Sequence, residues 1–201
     1  MSVGVSGPDD EQRALVAAAL AHETAGRYDD ALRGLTEAFA RDPAPEVADH
    51  IVRVRHAAAS KVSARSAADW PPARPDPFPD HRGAPEIHRP DLTASLLGGA
   101  ILHHGCLIVR GLVPRDAAVG VREMVTRSID ARDRIVENAP QPGDEHWYRR
   151  FLPADFEAGR ERHWIKRTGG MLMTDSPMVL CAVLDAYERA GVLEVIAEHL
   201  G

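Results

Sequence analysis

Two short runs hold most of the side chains that could do chemistry. His146-Trp147-Tyr148-Arg149-Arg150 and His163-Trp164-Ile165-Lys166-Arg167 each set rings beside cations. Such a mixture suits an anionic or planar ligand, through charge-assisted hydrogen bonds and stacking. A domain surface whose aromatics cover a sheet edge accounts for it better. Arg149, Trp164, Lys166 and Arg167 are the candidate ligand contacts. His103-His104-Gly105-Cys106 invites a metal reading, but adjacent residues chelate one ion poorly and no second cluster has a metal spacing. Helix termination accounts for that run better. Arg110 beside Gly111 reads as a surface ion pair at a strand end. No catalytic residue and no metal ligand is assigned, because no set of side chains completes a site.

Composition narrows the classes. A net charge of −6 argues against a nucleic-acid partner, which usually meets a basic stripe, although interleaved rings and cations also occur in single-strand grooves. The apolar content of 44% permits a real core. No stretch approaches the roughly 20 apolar residues of a membrane span, and residues 1–10 lack the features of a signal peptide. Cys106 and Cys181, the two cysteines, fall in apolar runs. Two buried thiols, no disulfide and a cytoplasmic location are expected.

The elements that must position these residues can be read in order. Ser6, Pro8 and Asp9 look like a helix start, and Leu15, Ala18, Ala19 and His22 mark one side up to Gly26. A second helix carries Ala31, Leu32, Leu35, Ala38 and Phe39 and stops at Asp42-Pro43. A third, from about Pro45 to Ser63, has Val47, Ile51 and Val54 on its apolar side. Seven prolines between Pro71 and Pro90, with Trp70 and Phe78, predict a linker or a strap laid over a surface. From Asp91, which could cap it, a helix buries Leu92, Leu96, Leu97, Ile101 and Leu102. Cys106–Val109 then reads as a strand covered on both faces, and Pro114 opens a helix burying Val121, Met124, Val125 and Ile129. Residues 131–168 look irregular, with a short helix near Ala154–Arg160 and a strand around Trp164–Arg167. A strand at Met171–Met173 follows. Ser176-Pro177 opens a helix with Val179, Leu180, Val183, Leu184 and Tyr187 buried, and a last helix starts at Val192.

Gly26-Arg27-Tyr28-Asp29-Asp30-Ala31-Leu32, with Ala38 and Asp42-Pro43, resembles the second half of a tetratricopeptide repeat over residues 8–43. In it Ala31 and Ala38 let two helices approach, Tyr28 wedges the turn, and Gly26 and Pro43 punctuate the unit. Leu15 stands where the family often has tryptophan, and Ala19 where it favours glycine. One repeat is short of the roughly three needed for independent stability, so the arm is expected to pack on the rest of the chain, a second copy or a partner.

The block Leu92–Arg132, centred on GGAILHHGCLIVRGLV, is similar to the entrance segment of Fe(II)/2-oxoglutarate dioxygenases of the phytanoyl-CoA dioxygenase type. Gly170–Pro177, Leu184, Tyr187 and Glu198–Gly201 resemble the stretch ahead of that family's catalytic sheet. The resemblance covers residues 84–201. It implies an α+β, mostly helical chain: a tetratricopeptide-like arm (1–63), a Pro-rich linker (64–90) and the helix-rich N-terminal portion of a double-stranded β-helix, or jelly-roll, domain (91–201). It implies Fe(II) and 2-oxoglutarate as cofactor and co-substrate of a full enzyme, with Lys166 and Arg167 towards the co-substrate. The family's His-x-Asp/Glu pair is missing: none of the ten histidines has an acid two residues later. This segment alone is therefore expected to bind neither and to be inactive, with catalysis only if the chain continues past Gly201. The alternative is a non-catalytic module in which the arm binds a protein or peptide. Self-association through apolar surface on the Cys106–Val109 strand is expected too.

Overall fold

The computed structural model describes residues 10–61, 72–151 and 171–200. The Ser6/Asp9 start, Trp70, the 154–160 helix and the 164–167 strand lie outside them. The architecture is helix-rich α+β, with one two-stranded parallel sheet among the described residues. Residues up to 62 and from 120 to 183 form one compact unit; residues 63–119 and from 184 onward form a second.

In the first unit, α1 (Asp10–Thr24) packs on α2 (Tyr28–Arg41), and α2 on α3 (Pro45–Ala59). Gly26 closes α1 at φ +72°, with Arg27 N–H on the His22 carbonyl and Gly26 N–H on that of Glu23. This left-handed cap favours a residue without Cβ. Ala31, Leu35, Ala38 and Phe39 form the buried stripe of α2, and Val47, Ala48, Ile51, Val52 and Val54 that of α3. A Cβ on Gly34 would lie 3.2 Å from that of Ala19, so α1 and α2 meet through small residues. The buried face of α1 differs from the expected one. It runs through Gln12, Leu15, Val16 and Ala19, and Ala18 is exposed. Alanine on all sides of α1 leaves its rotation unmarked in the hydropathy pattern. Gln12 is fully buried because its amide donates to the Asp42 carbonyl at 2.7 Å and the Ala38 carbonyl at 3.3 Å, closing the end of α2.

The same unit contains the later part of α5 (Arg115–Val136), the short α6 (Asp144–Trp147), a 3-10 turn (Met173–Asp175) and the first turns of α7 (Pro177–Arg189). Met178 and Cys181 of α7 join the core of α1–α3, with Trp147 packed at its margin. The expected Met171–Met173 strand is instead this 3-10 turn, because Asp175 and Ser176 N–H groups fold back on the Leu172 and Met173 carbonyls. In α5 the fully buried residues are Ser128 and Ala131; Val121, Met124 and Val125 are half-buried and Ile129 is exposed.

The second unit is built on β1 (Glu86–His88), a crossover through α4 (Ala94–His104), and β2 (Ile108–Arg110), parallel to β1 with Ile87 beside Val109. The strand is shorter and more open than the apolar run suggested. Ile108 and Arg110 are exposed, and Cys106 lies outside it, also exposed. β1 is its one partner among the described residues, and Arg110 at its end is ion-paired to Glu86 at 2.8 Å. Only Cys181 of the two thiols is buried.

Helix α4 packs on α8 (Val192–Leu200) and is capped by the Thr93 hydroxyl, which accepts Leu96 N–H, rather than by Asp91. Its buried positions are Ala94, Gly98, Gly99 and Ala100, while Ile101 and Leu102 are 46% and 43% exposed. The Pro-rich segment explains the reversal. It lies directly on Gly99, where a Cβ would be 2.8 Å from the Pro75 carbonyl oxygen, and a Cβ on Gly98 would meet the Arg74 side chain and the His199 ring, both at 2.7 Å. His103 donates to the Arg74 carbonyl at 2.9 Å and His104 to the Asp76 carboxylate at 2.9 Å, so the segment is a strap. The Phe78 N–H, then His104, hold the Asp76 carboxyl below its usual range. In α7, Met178, Val179, Cys181 and Ala186 frame the buried side, with Ala190 buried just past its end, whereas Tyr187 is exposed and Leu180, Val183 and Leu184 are half-buried.

Among the described residues no helix is long and apolar enough to cross a membrane. Gly99→Ala should lower stability in urea unfolding by about 1–3 kcal/mol through overpacking against the strap. Ile101→Ala should stay within about 0.5 kcal/mol, as exposed positions do. One thiol, Cys106, should react with a thiol reagent in the folded chain. Cys181, pushed up to about 12 by burial, should react only after denaturation.

Candidate functional site

A cleft of about 290 Å³ opens in the first unit, between one side of α3 and the segment that follows α6. Helix geometry brings Asp49, Arg53 and His56 to it from successive turns of α3, with Val52 beside them. Arg149, Arg150 and Phe151 face them, and Thr174 and Pro177 close the far side.

The facing segment is held by buried polar groups. Asp175, 4% exposed, accepts Phe151 N–H on its carboxylate at 2.9 Å, and its carbonyl accepts Arg149 N–H at 2.8 Å. One turn earlier, the Ser128 and Ser176 hydroxyls touch each other and both reach the Trp147 carbonyl at 2.7 Å. Ser176, expected as a helix cap, thus fastens α5 to α6. Asp144 completes the frame. Its carboxylate takes both Arg134 nitrogens, at 2.6 and 2.9 Å, and Gln141 N–H at 2.8 Å. Arg134, then the Gln141 amide, hold its pKa down at about 2.

Among the described residues, three arginines, Arg53, Arg149 and Arg150, line the cleft with one acidic residue, Asp49. Arg149 is ion-paired to Asp49. Arg53 instead meets the His50 ring nitrogen at 2.8 Å. Burial first, and the Arg53 charge second, lower the His50 pKa, so a neutral ring can accept that bond. The His56 ring stands edge-on to Phe151 at 5.6 Å and makes an apolar wall. The arrangement can hold an anion with a small apolar body. Among the described residues it contains no nucleophile held by a base.

Of the ligand contacts expected from sequence, Arg149 is in this cleft; Trp164, Lys166 and Arg167 lie outside the described residues. The ring–cation pairing read into His146–Arg150 takes a different form: Arg127 of α5 lies over Trp147, 5.3 Å from the ring centroid. Arg150 belongs to the run read as suiting an anionic ligand but is not singled out in it, and Arg53 and His56 go unassigned in the sequence, since a cation on a helix with an apolar stripe reads as a solvated face. Asp175 gave no signal at all. Of the repeat-packing residues, Ala31 and Ala38 are fully buried, Tyr28 packs half-buried against the core, Gly26 makes the turn and Pro43 follows the end of α2. Among the described residues no three His, Cys, Asp or Glu side chains converge as metal ligands. Compared with family models, curated proteins and solved structures, the chain finds no match.

The Asp144 pKa, held below the ordinary 3.8, carries a sign. Its ionised form is favoured in the folded state, so its stabilisation is present above that value and is lost as pH falls towards about 2. Asp144→Asn should lower the urea midpoint at neutral pH, and the gap from the parent chain should close as the pH falls through that window.

Proposed function

We propose that this chain is the N-terminal portion of a cytoplasmic 2-oxoglutarate/Fe(II)-dependent oxygenase of the phytanoyl-CoA dioxygenase type, carrying a tetratricopeptide-like arm. The observation that carries the reading is the succession α4–β2–α5. Helix, short strand and helix follow in the order of that family's entrance segment, with Gly105 and Gly111 at the breaks, both at positive φ. In this reading β1 and β2 belong to the rim of a jelly roll, and the exposed Ile101, Leu102 and Ile108 are surface for its remaining strands.

The residues of this chain do not fit an iron centre. No His-x-Asp/Glu pair is present in the sequence, and no ligand trio converges among the described residues. No catalytic step is therefore assigned to them; their role is to build and orient the domain.

A second reading is favoured by one specific observation. Ala31 and Ala38 are fully buried where α2 meets the core, and Gly34 lies against Ala19, the close helix approach of a tetratricopeptide hairpin. On that basis the arm serves as a docking element for a protein or peptide, or for a second copy.

The test is the intact mass of the protein from its native source, followed by succinate release from 2-oxoglutarate with Fe(II) added. A mass well above 21.9 kDa with succinate release is the expected result. A mass equal to this chain, or a longer protein with no 2-oxoglutarate turnover, would overturn the oxygenase reading and leave the docking module.

A further inference from the structure

We infer that the cleft between α3 and Arg149–Phe151 is a binding site for a small organic anion: a carboxylate or phosphate ester on a compact apolar body. The inference stands apart from the oxygenase reading, since it uses only residues of the first unit.

Charge gives the sign of the ligand. The chain as a whole is at −6, yet among the described residues this cleft is lined by three arginines and a single acidic residue, Asp49. A local excess of positive charge in an acidic protein is not a spill-over of its global field. Only one of the three is neutralised by a carboxylate. Asp49 takes Arg149, while Arg53 and Arg150 have no carboxylate partner among the described residues. Arginine presents a planar fork that matches a carboxylate or phosphate edge, and so a pair of unneutralised arginines is suited to an oxyanion.

Shape gives the body. At about 290 Å³ the cleft is at the small end of ligand sites, enough for one ring or a short chain but not for a nucleotide. Val52, Phe151 and Pro177 offer apolar contact beside the arginines. Support is built in. Phe151 and Arg149 are pinned through their backbone N–H groups to Asp175, and the His56 ring backs Phe151. Such pinning reduces the ordering cost on binding.

The test is calorimetric titration of the full chain with phenyl phosphate, benzoate and neutral benzyl alcohol. Saturable binding of one ligand per chain, in the millimolar range or tighter, is expected for at least one anion and not for the alcohol. It should weaken as salt rises. Phenyl phosphate alone would define a phosphate-ester site, benzoate alone a carboxylate site, and both a general oxyanion site. The Arg53→Gln/Arg150→Gln double variant should lose affinity by at least about tenfold. Both arginines are exposed, so that variant should keep the parent's unfolding transition. Arg122→Gln, an exposed arginine of α5 that does not line the cleft, serves as the charge control and should bind as the parent does. Absence of saturable binding by both anions, equal binding of benzyl alcohol, or an unchanged affinity in the folded double variant would overturn the inference.

Discussion

Close approach through small residues is the constraint on which both units depend. In the first, α1 reaches α2 where Ala19 faces Gly34, and Ala31 and Ala38 are buried without remainder. In the second, α4 offers Gly98 and Gly99, and the strap fills the space a side chain would take. Interiors are packed to crystal-like density, so such contacts have little room for an added methyl group. The larger apolar residues are then free to take other places. Leu35, Ile51 and Val54 fill the first core, whereas Ile101 and Leu102 of α4 stay exposed.

Polar groups sit at the joints that small residues leave. Gln12 closes the end of α2, Asp144 ties the end of α5 to the start of α6, and Asp175 ties the segment after α6 to the turn before α7. Each is buried; Gln12 donates to backbone carbonyls, and the two aspartates accept from backbone or charged donors, that would otherwise be stranded. Unlike apolar packing, these bonds are directional, and they fix where Arg149 and Phe151 stand relative to α3. The cleft inherits its shape from them.

The sequence makes some of this legible and hides the rest for identifiable reasons. Gly26, Asp42-Pro43 and Pro45 punctuate the first three helices plainly, and the stripes of α2 and α3 have an unambiguous helical period. The existence of α4 is equally plain, but its buried face is misread, because a rule that places leucine and isoleucine inside cannot see a strap seated on glycine. The β2 run reads as a covered strand for the same reason: apolar composition says nothing about how many neighbours a strand has. The cleft is hidden by distance along the chain. Asp49 and Arg149 are 100 residues apart, and neither α3 nor the Arg149–Phe151 segment signals the other. Arg149 stood out by its aromatic company; Arg53 and His56 had none.

The parallel pairing of β1 and β2 has a consequence for the order of folding. A hairpin can zip from its turn, but two parallel strands joined through a helix share no turn to start from. The ends of this crossover meet only after α4 has formed and has been drawn back across the gap, so loop-closure entropy comes before any hydrogen bond of the ladder. The strap presents the same problem, since its partners on α4 exist as a surface only once that helix is made. The α1–α2 hairpin, in contrast, joins neighbours across the Gly26 turn and can form from local contacts. The chain thus holds an early-forming helical hairpin and a late-forming parallel pair, and during synthesis the hairpin leaves the ribosome first.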